Sequence, residues 1–290
     1  MTRGRAEAAL AVNTLLWGST FVLAKAALVY ISPLLFLAAR FSLAALALVI
    51  WFHRALWKSS GERWAPGLLV GVFLFLGYLF QTIGLQYTTP TKSAFITGLT
   101  TVMVPLLASL VYRSRPQVSE LVGVSVATVG MGLLTLEGPF GSISRGDVLT
   151  LLGAMAFAAH IVTLGHYSES MGFELLSVAQ VAAAAGSALA LFWWVEPLRL
   201  HWQPVVLWAI LITGLLCTAM AFTVQAWAQH YTTSTRTALI YALEPVFAGI
   251  TSWIVLREML SGQAACGAVL ILAGILLVET KPFQSRLHQS

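Results

Sequence analysis

The chain repeats itself. Tyr87-Thr88-Thr89 reappears as Tyr231-Thr232-Thr233, an offset of 144 residues (231 minus 87). At that offset, with no gap, Gln81 meets Gln225, Lys92 meets Arg236, Ala94 meets Ala238 and Ile96 meets Ile240. Further along, Arg113 meets Arg257, Gly123 meets Gly267 and Gly130 meets Gly274. Apolar composition alone does not produce a shared register of this length, so the chain reads as an internal duplication. The first apolar stretch has a weaker counterpart at 151–165, at an offset of 140, which places Arg40 on Gln180.

Composition decides what is duplicated. The 290 residues are 58% hydrophobic and 9% charged, where a soluble domain carries about 25% charged residues. This is the composition of an integral membrane protein. A span needs about 20 mostly apolar residues. Ten stretches qualify: 6–29, 33–52, 66–86, 91–112, 119–136, 147–166, 173–195, 204–229, 235–256 and 262–279. The fold class expected is therefore all-α, with about ten transmembrane helices as two inverted five-helix repeats, residues 1–140 and 141–290. Short loops predict that consecutive helices are antiparallel neighbours. Pro33, Pro66 and Pro204 suit helix starts, where a missing N–H costs little. The first stretch is not read as a signal peptide, because Asn13, Ser19, Thr20 and Lys25 interrupt its apolar region.

Orientation follows the basic residues. Arg3, Arg5, Arg54, Lys58, Arg63, Arg113, Arg115, Lys281 and Arg286 fall on one side if ten helices alternate, against Lys92, Arg145, Arg199 and Arg257 on the other. Both termini are expected in the cytoplasm and the protein in the cell (inner) membrane. Each half has an odd number of helices, so the second enters from the opposite face. That architecture accompanies alternating access about a central site. The net charge of +5 reports this orientation and not nucleic-acid binding. Cys217 and Cys266 lie in apolar runs, which disfavours a disulfide framework or thiolate metal site. No His/Cys/Asp/Glu group has metal-ligand spacing and no Walker motif is present. No cofactor is expected. The partners expected are a small solute and the bilayer, with the chain a monomer or homodimer.

The motif Trp17-Gly18-Ser19-Thr20-Phe21 followed by Lys25, the duplicated apolar halves, and Glu244-Pro245 with Arg257-Glu258 and Gly267 resemble the EamA-type family of the drug/metabolite transporter superfamily. The resemblance covers nearly the whole chain. It implies ten helices, cytoplasmic termini and efflux of small metabolites; members that export amino acids, aromatic ones included, are the nearest analogy. The first half departs from the pattern. Pro105 lies one turn beyond the position matching Pro245, and Ser114 stands where Glu258 has its counterpart.

Polar groups inside spans are costly and mark cavities or relays. Two readings are open for Lys25, snorkelling to the interface or a cavity role. Arg40, two turns into its span, is read as an inward-facing group or an ion-pair partner. Glu244 sits mid-span before a proline that frees a backbone carbonyl. It reads as a binding or protonatable group, against a neutral carboxyl that bonds a neighbouring helix. His160 is a minor candidate for proton coupling. Gln81 and Gln225 face the pseudo-twofold centre in this reading, or bond across helices as packing amides. Trp17, Tyr78, Trp227 and Tyr241 are expected to border one cavity. The glycines and alanines of the fifth and tenth stretches mark packing helices, away from the solute path.

Together these residues suggest a secondary transporter that exports amino acids, aromatic or hydrophobic ones favoured. A multidrug or cationic-solute exporter is the alternative, and a membrane-embedded enzyme or scaffold the reading from another class.

Overall fold

The computed structural model describes residues 3–58, 64–88, 90–113, 116–135, 144–244, 246–247 and 262–280. The described residues are almost entirely helical. Seven helical segments are long and apolar enough to cross a membrane: Arg3–Ala27, Pro33–Trp57, Ala65–Tyr87, Ser93–Val111, Arg145–Ser168, Phe173–Trp194 and Pro204–Gln229. Val118–Leu133 and Ala265–Val278 are shorter apolar helices. With the helix that starts at Ser234–Tyr241, they make about ten spans, numbered here first to tenth in chain order. Pro33 and Pro204 open their helices and Pro66 lies in the first turn of its own.

Among the described residues three spans are interrupted by a turn, and the second is kinked at Phe52. The first changes from Arg3–Gly18 to Thr20–Ala27 at Ser19. There Ser19 Oγ donates to the Leu16 carbonyl at 2.8 Å and Thr20 Oγ1 to the Trp17 carbonyl at 2.9 Å. Hydroxyls that bond backward in this way compete with the helix ladder. The fourth changes from Pro90–Gly98 to Thr100–Val111 at Leu99. The ninth turns at Ala242 and Leu243. Gly98-Leu99 and Ala242-Leu243 are 144 residues apart, so the duplication carries the interruption with it.

The eighth span contains a π segment, Ile212–Met220. Thr218 Oγ1 donates to the Thr213 carbonyl five residues back, at 2.7 Å. The wider turn presents carbonyls to neighbours. Cys217 O accepts from Trp17 Nε1 at 2.9 Å, and just beyond the segment Ala221 O accepts from Asn13 Nδ2 at 2.7 Å. Nothing in the apolar pattern marks this segment, and π turns concentrate at functional sites.

Some consecutive helices are neighbours, the second with the third and the fourth with the fifth among them, but the larger contacts lie elsewhere. The third span packs mainly on the sixth and seventh, the eighth on the second and first. The fourth contacts the sixth, and the ninth contacts the first. The second pairs with the seventh, the fourth with the ninth and the fifth with the tenth. Exchanging the two halves maps this set of contacts onto itself. The fifth and tenth spans show it at atomic scale. A Cβ on Gly123 would meet the Gly274 carbonyl oxygen at 2.6 Å, and one on Gly274 would meet the Gly123 oxygen at 2.5 Å. A Cβ on Gly130 would meet the Gly267 oxygen at 2.6 Å. Backbones this close exclude any side chain, which is why small residues recur there. The main apolar core lies between the second, third and seventh spans, around Phe36, Leu37, Phe41, Leu74 and Val181.

Candidate functional site

A cavity of about 110 Å³ lies at the centre. Its wall comes from the first, second, third, fourth, sixth, eighth and ninth spans; among the described residues neither the fifth nor the tenth contributes to the lining. Trp17, Arg40, Tyr78, Gln81, His160, Gln225, Tyr241 and Glu244 all reach it.

The apolar part is an edge-on aromatic cage. Trp17 stands 4.8 Å from Tyr241 and 5.4 Å from Phe222 between ring centroids. Tyr78 stands edge to face with Phe157 at 5.1 Å and with Phe222 at 6.1 Å. Such pairs hold rings in place beyond their area burial. Trp17 is fixed further by its bond to the Cys217 carbonyl.

The polar part is asymmetric. Arg40 is buried, 5% exposed. Its Nε donates to Thr218 Oγ1 at 2.7 Å and one terminal nitrogen to the Tyr78 hydroxyl at 3.1 Å. The guanidinium carbon lies 4.3 Å from the Tyr78 ring centre. Among the described residues no carboxylate pairs with it. Glu244 likewise has no hydrogen-bond or ion-pair partner among the described residues; Pro245 beside it lies outside them. Insertion scales put a charge at the bilayer centre at about 2.5–3.5 kcal/mol. Arg40 therefore leans on hydroxyl, carbonyl and ring dipoles, while Glu244 is left to whatever fills the cavity.

His160 Nε2 meets Gln180 Oε1 at 2.8 Å, with its ring against Phe222. Gln81 Nε2 donates to Thr97 Oγ1 at 2.9 Å, and Gln225 Nε2 to Gln229 Oε1 at 3.0 Å. Gln225 Oε1, Tyr241 Oη and Gln180 Nε2 are buried without a hydrogen-bond partner among the described residues. Of these residues Gln225 and Tyr241 line the cavity, and the orphaned Gln225 amide oxygen there is an open position for a solute or water.

Two expected residues lie elsewhere. Trp227 does not line the cavity. It points toward the Ala6, Leu10 and Ala228 cluster and stacks on Tyr231 at 5.6 Å, since the eighth span turns that face to the first. Of the four aromatics expected there, only Tyr241 represents the second half. Lys25 also stays out. Its ammonium donates to the Thr88 carbonyl at 2.7 Å and to the Leu85 carbonyl, capping the end of the third span. That position is outside the cavity lining.

The missed lining residues had a signal. Adding 140 to Trp17 gives Phe157, and adding 144 to Tyr78 gives Phe222. The same offsets pair Thr20 with His160, Thr97 with Tyr241 and Thr100 with Glu244, all lining residues. The cage is thus close to twofold, and its charges break the symmetry. Arg40 is matched by Gln180, and Glu244 by Thr100.

The profile of the EamA-like transporter family matches residues 5–136 and again 144–280. The chain belongs to the EamA-like transporter family. An uncharacterized transporter of Archaeoglobus fulgidus is 34% identical over 278 residues, 95% of this chain and 86% of that protein. The uncharacterized transporter YvbV of Bacillus subtilis is 28% identical over 296 residues, covering 97% and 93%. A solved crystal structure superposes with a TM-score of 0.80 at 18% identity, covering 97% of this chain and 98% of that one; that likeness shows the fold. This EamA-like transporter is a multi-pass membrane protein of the drug/metabolite superfamily, and its family profile fits each half once.

Proposed function

We propose that this EamA-like transporter exports small zwitterionic solutes with an apolar body, hydrophobic or aromatic amino acids above all. Two halves of inverted topology, residues 1–140 and 141–290, would give alternating access, with both termini in the cytoplasm. The observation that carries the reading is the pair Arg40 and Glu244, one charge from each half, in one cavity wall without an ion pair between them. Arg40 would take the solute carboxylate and Glu244 its ammonium, with the apolar body among Trp17, Tyr78, Phe157, Phe222 and Tyr241. A cavity of about 110 Å³ is comparable with the engineered cavity of roughly 150 Å³ that accepts benzene. That scale favours single small solutes over nucleotide sugars.

The cationic-solute reading is supported by Glu244 having no partner among the described residues. It is opposed by Arg40, a fixed cation in the same wall that repels a second one at low dielectric. The test is a flux screen in proteoliposomes across amino acids, lipophilic cations and sugars, with and without a pH gradient. Amino acid flux above empty liposomes is expected. Flux confined to cations would replace the reading with the alternative. Chemical conversion of a solute without flux would point to an enzyme. A dependence on the imposed pH gradient would report proton coupling.

A further inference from the structure

The duplicated Tyr-Thr-Thr turns do something the central cavity does not explain. Thr88 ends the third span, and its hydroxyl donates to Asp147 Oδ1, in the first turn of the sixth span, at 2.6 Å. Thr232 follows the eighth span, and its hydroxyl donates to Glu7 Oε1, near the start of the first span, at 3.1 Å. Thr88 and Thr232 are 144 residues apart; Glu7 and Asp147 are 140 apart. The two contacts are therefore one contact made twice, at opposite ends of the bundle.

Each is reinforced locally. Asp147 closes a capping box with Ser144, and Lys25 holds the Thr88 carbonyl. Glu7 Oε1 also takes Arg3 Nε at 2.7 Å and an Arg236 nitrogen at 3.4 Å. Each contact also lies beyond one end of the cavity wall. At the Asp147 end the cavity wall finishes at Ala24 and Leu85, the neighbours of Lys25 and its carbonyl acceptor. At the Glu7 end a vestibule of about 510 Å³ is lined by Arg3, Thr232 and Arg236. It begins one helical turn from the cavity: Thr101, Ile161, Gln225 and Ala238 line the cavity where Pro105, Gly165, Gln229 and Ser234 line the vestibule. The layer between is bonded shut, Gln229 Nε2 and Ser234 Oγ both donating to the Ile161 carbonyl.

We infer that Thr88–Asp147 and Thr232–Glu7 are twin clasps, each holding one end of the solute path closed, so that opening to a given face requires its own clasp to part. Both are made in this structure, with the small cavity between them. The inference rests on the alternating-access reading and adds the residues that set sidedness. A charge-assisted bond between span ends suits the role, because it is strong when made and replaceable by water when the end opens.

The test reads sidedness directly. In a Cys217→Ser, Cys266→Ser background, Thr82→Cys places a reporter thiol in the cavity wall. A small charged methanethiosulfonate is applied to membrane vesicles of each orientation. Thr232→Val is expected to raise labelling from the Glu7 face relative to the Asp147 face by about tenfold, and Thr88→Val to shift the ratio the opposite way. Thr→Ser at either position, which keeps the hydroxyl, should restore the parent ratio. If a valine variant fails to insert, Glu7→Gln or Asp147→Asn takes its place with the same expected direction. Ratios that stay at the parent value, or that move the same way for both ends, overturn the inference. A purely structural role would lower the melting temperature and leave the ratio alone. Flux in the parent with unmoved ratios sinks the clasps only; a parent labelled from one face and passing no solute sinks the transport reading.

Discussion

At the scale of single residues, the proposed function rests on Arg40 and Glu244. Bonds to Thr218 and Tyr78 hold the Arg40 guanidinium in place at the cavity wall. Arg40→Gln, which copies its repeat partner Gln180, removes a charge-assisted bond of about 1.5–3 kcal/mol. Binding of carboxylate-bearing solutes is expected to weaken about 10- to 100-fold by tracer binding, with a decarboxylated amine analogue affected far less. Equal loss for both compounds would count against a carboxylate contact. Glu244→Gln should weaken binding of a free amino acid about tenfold and change that of its N-acetyl derivative little. A variant that transports every solute at the parent rate and with the parent pH dependence would return Glu244 to a packing role.

At the scale of elements, the interrupted spans and the glycine seam do different work. The breaks at Ser19, Leu99 and Ala242-Leu243 lie beside cavity residues Thr20, Gly98 and Tyr241. Among the described residues the fifth and tenth spans are regular, contribute nothing to the wall and meet backbone to backbone. Gly274→Ala puts a methyl 2.5 Å from the Gly123 oxygen and 2.9 Å from the Ala127 Cβ. The helices must separate, at a cost of about 1–3 kcal/mol for overpacking. A lower thermal midpoint in detergent is expected, with solute affinity of the folded fraction unchanged. A loss of affinity at unchanged stability would tie this seam to the cavity.

At the scale of the whole molecule, the excess of basic residues predicts that both termini share the cytoplasmic face. A reporter fused after Ser290 should be active only if it works in the cytoplasm. Activity of a periplasm-dependent reporter there would remove the inverted topology and with it the opposed placement of the two clasps.

The amino-acid order alone determined the duplication, the membrane class and the depth of each polar residue. Each is a property of spacing along one dimension, and polar residues in a span are rare enough to be conspicuous. That is why Arg40, Tyr78, Gln81, His160, Gln225 and Glu244 could be singled out before any contact was known. Tertiary structure decided which face of each helix turns inward. These spans are apolar on every side, so no stripe distinguishes core from lipid. Trp227 and Tyr241 looked alike in sequence and both pack on the Leu10 cluster, but only Tyr241 also lines the cavity. Lys25 looked like a cavity or interface cation until the end of the third span supplied carbonyls within reach. The π segment and the two Thr–carboxylate clasps depend on groups 59 and 225 residues apart or on an extra residue per turn. A hydrophobicity pattern records neither, because it registers burial and says nothing of which hydrogen bonds close at the end.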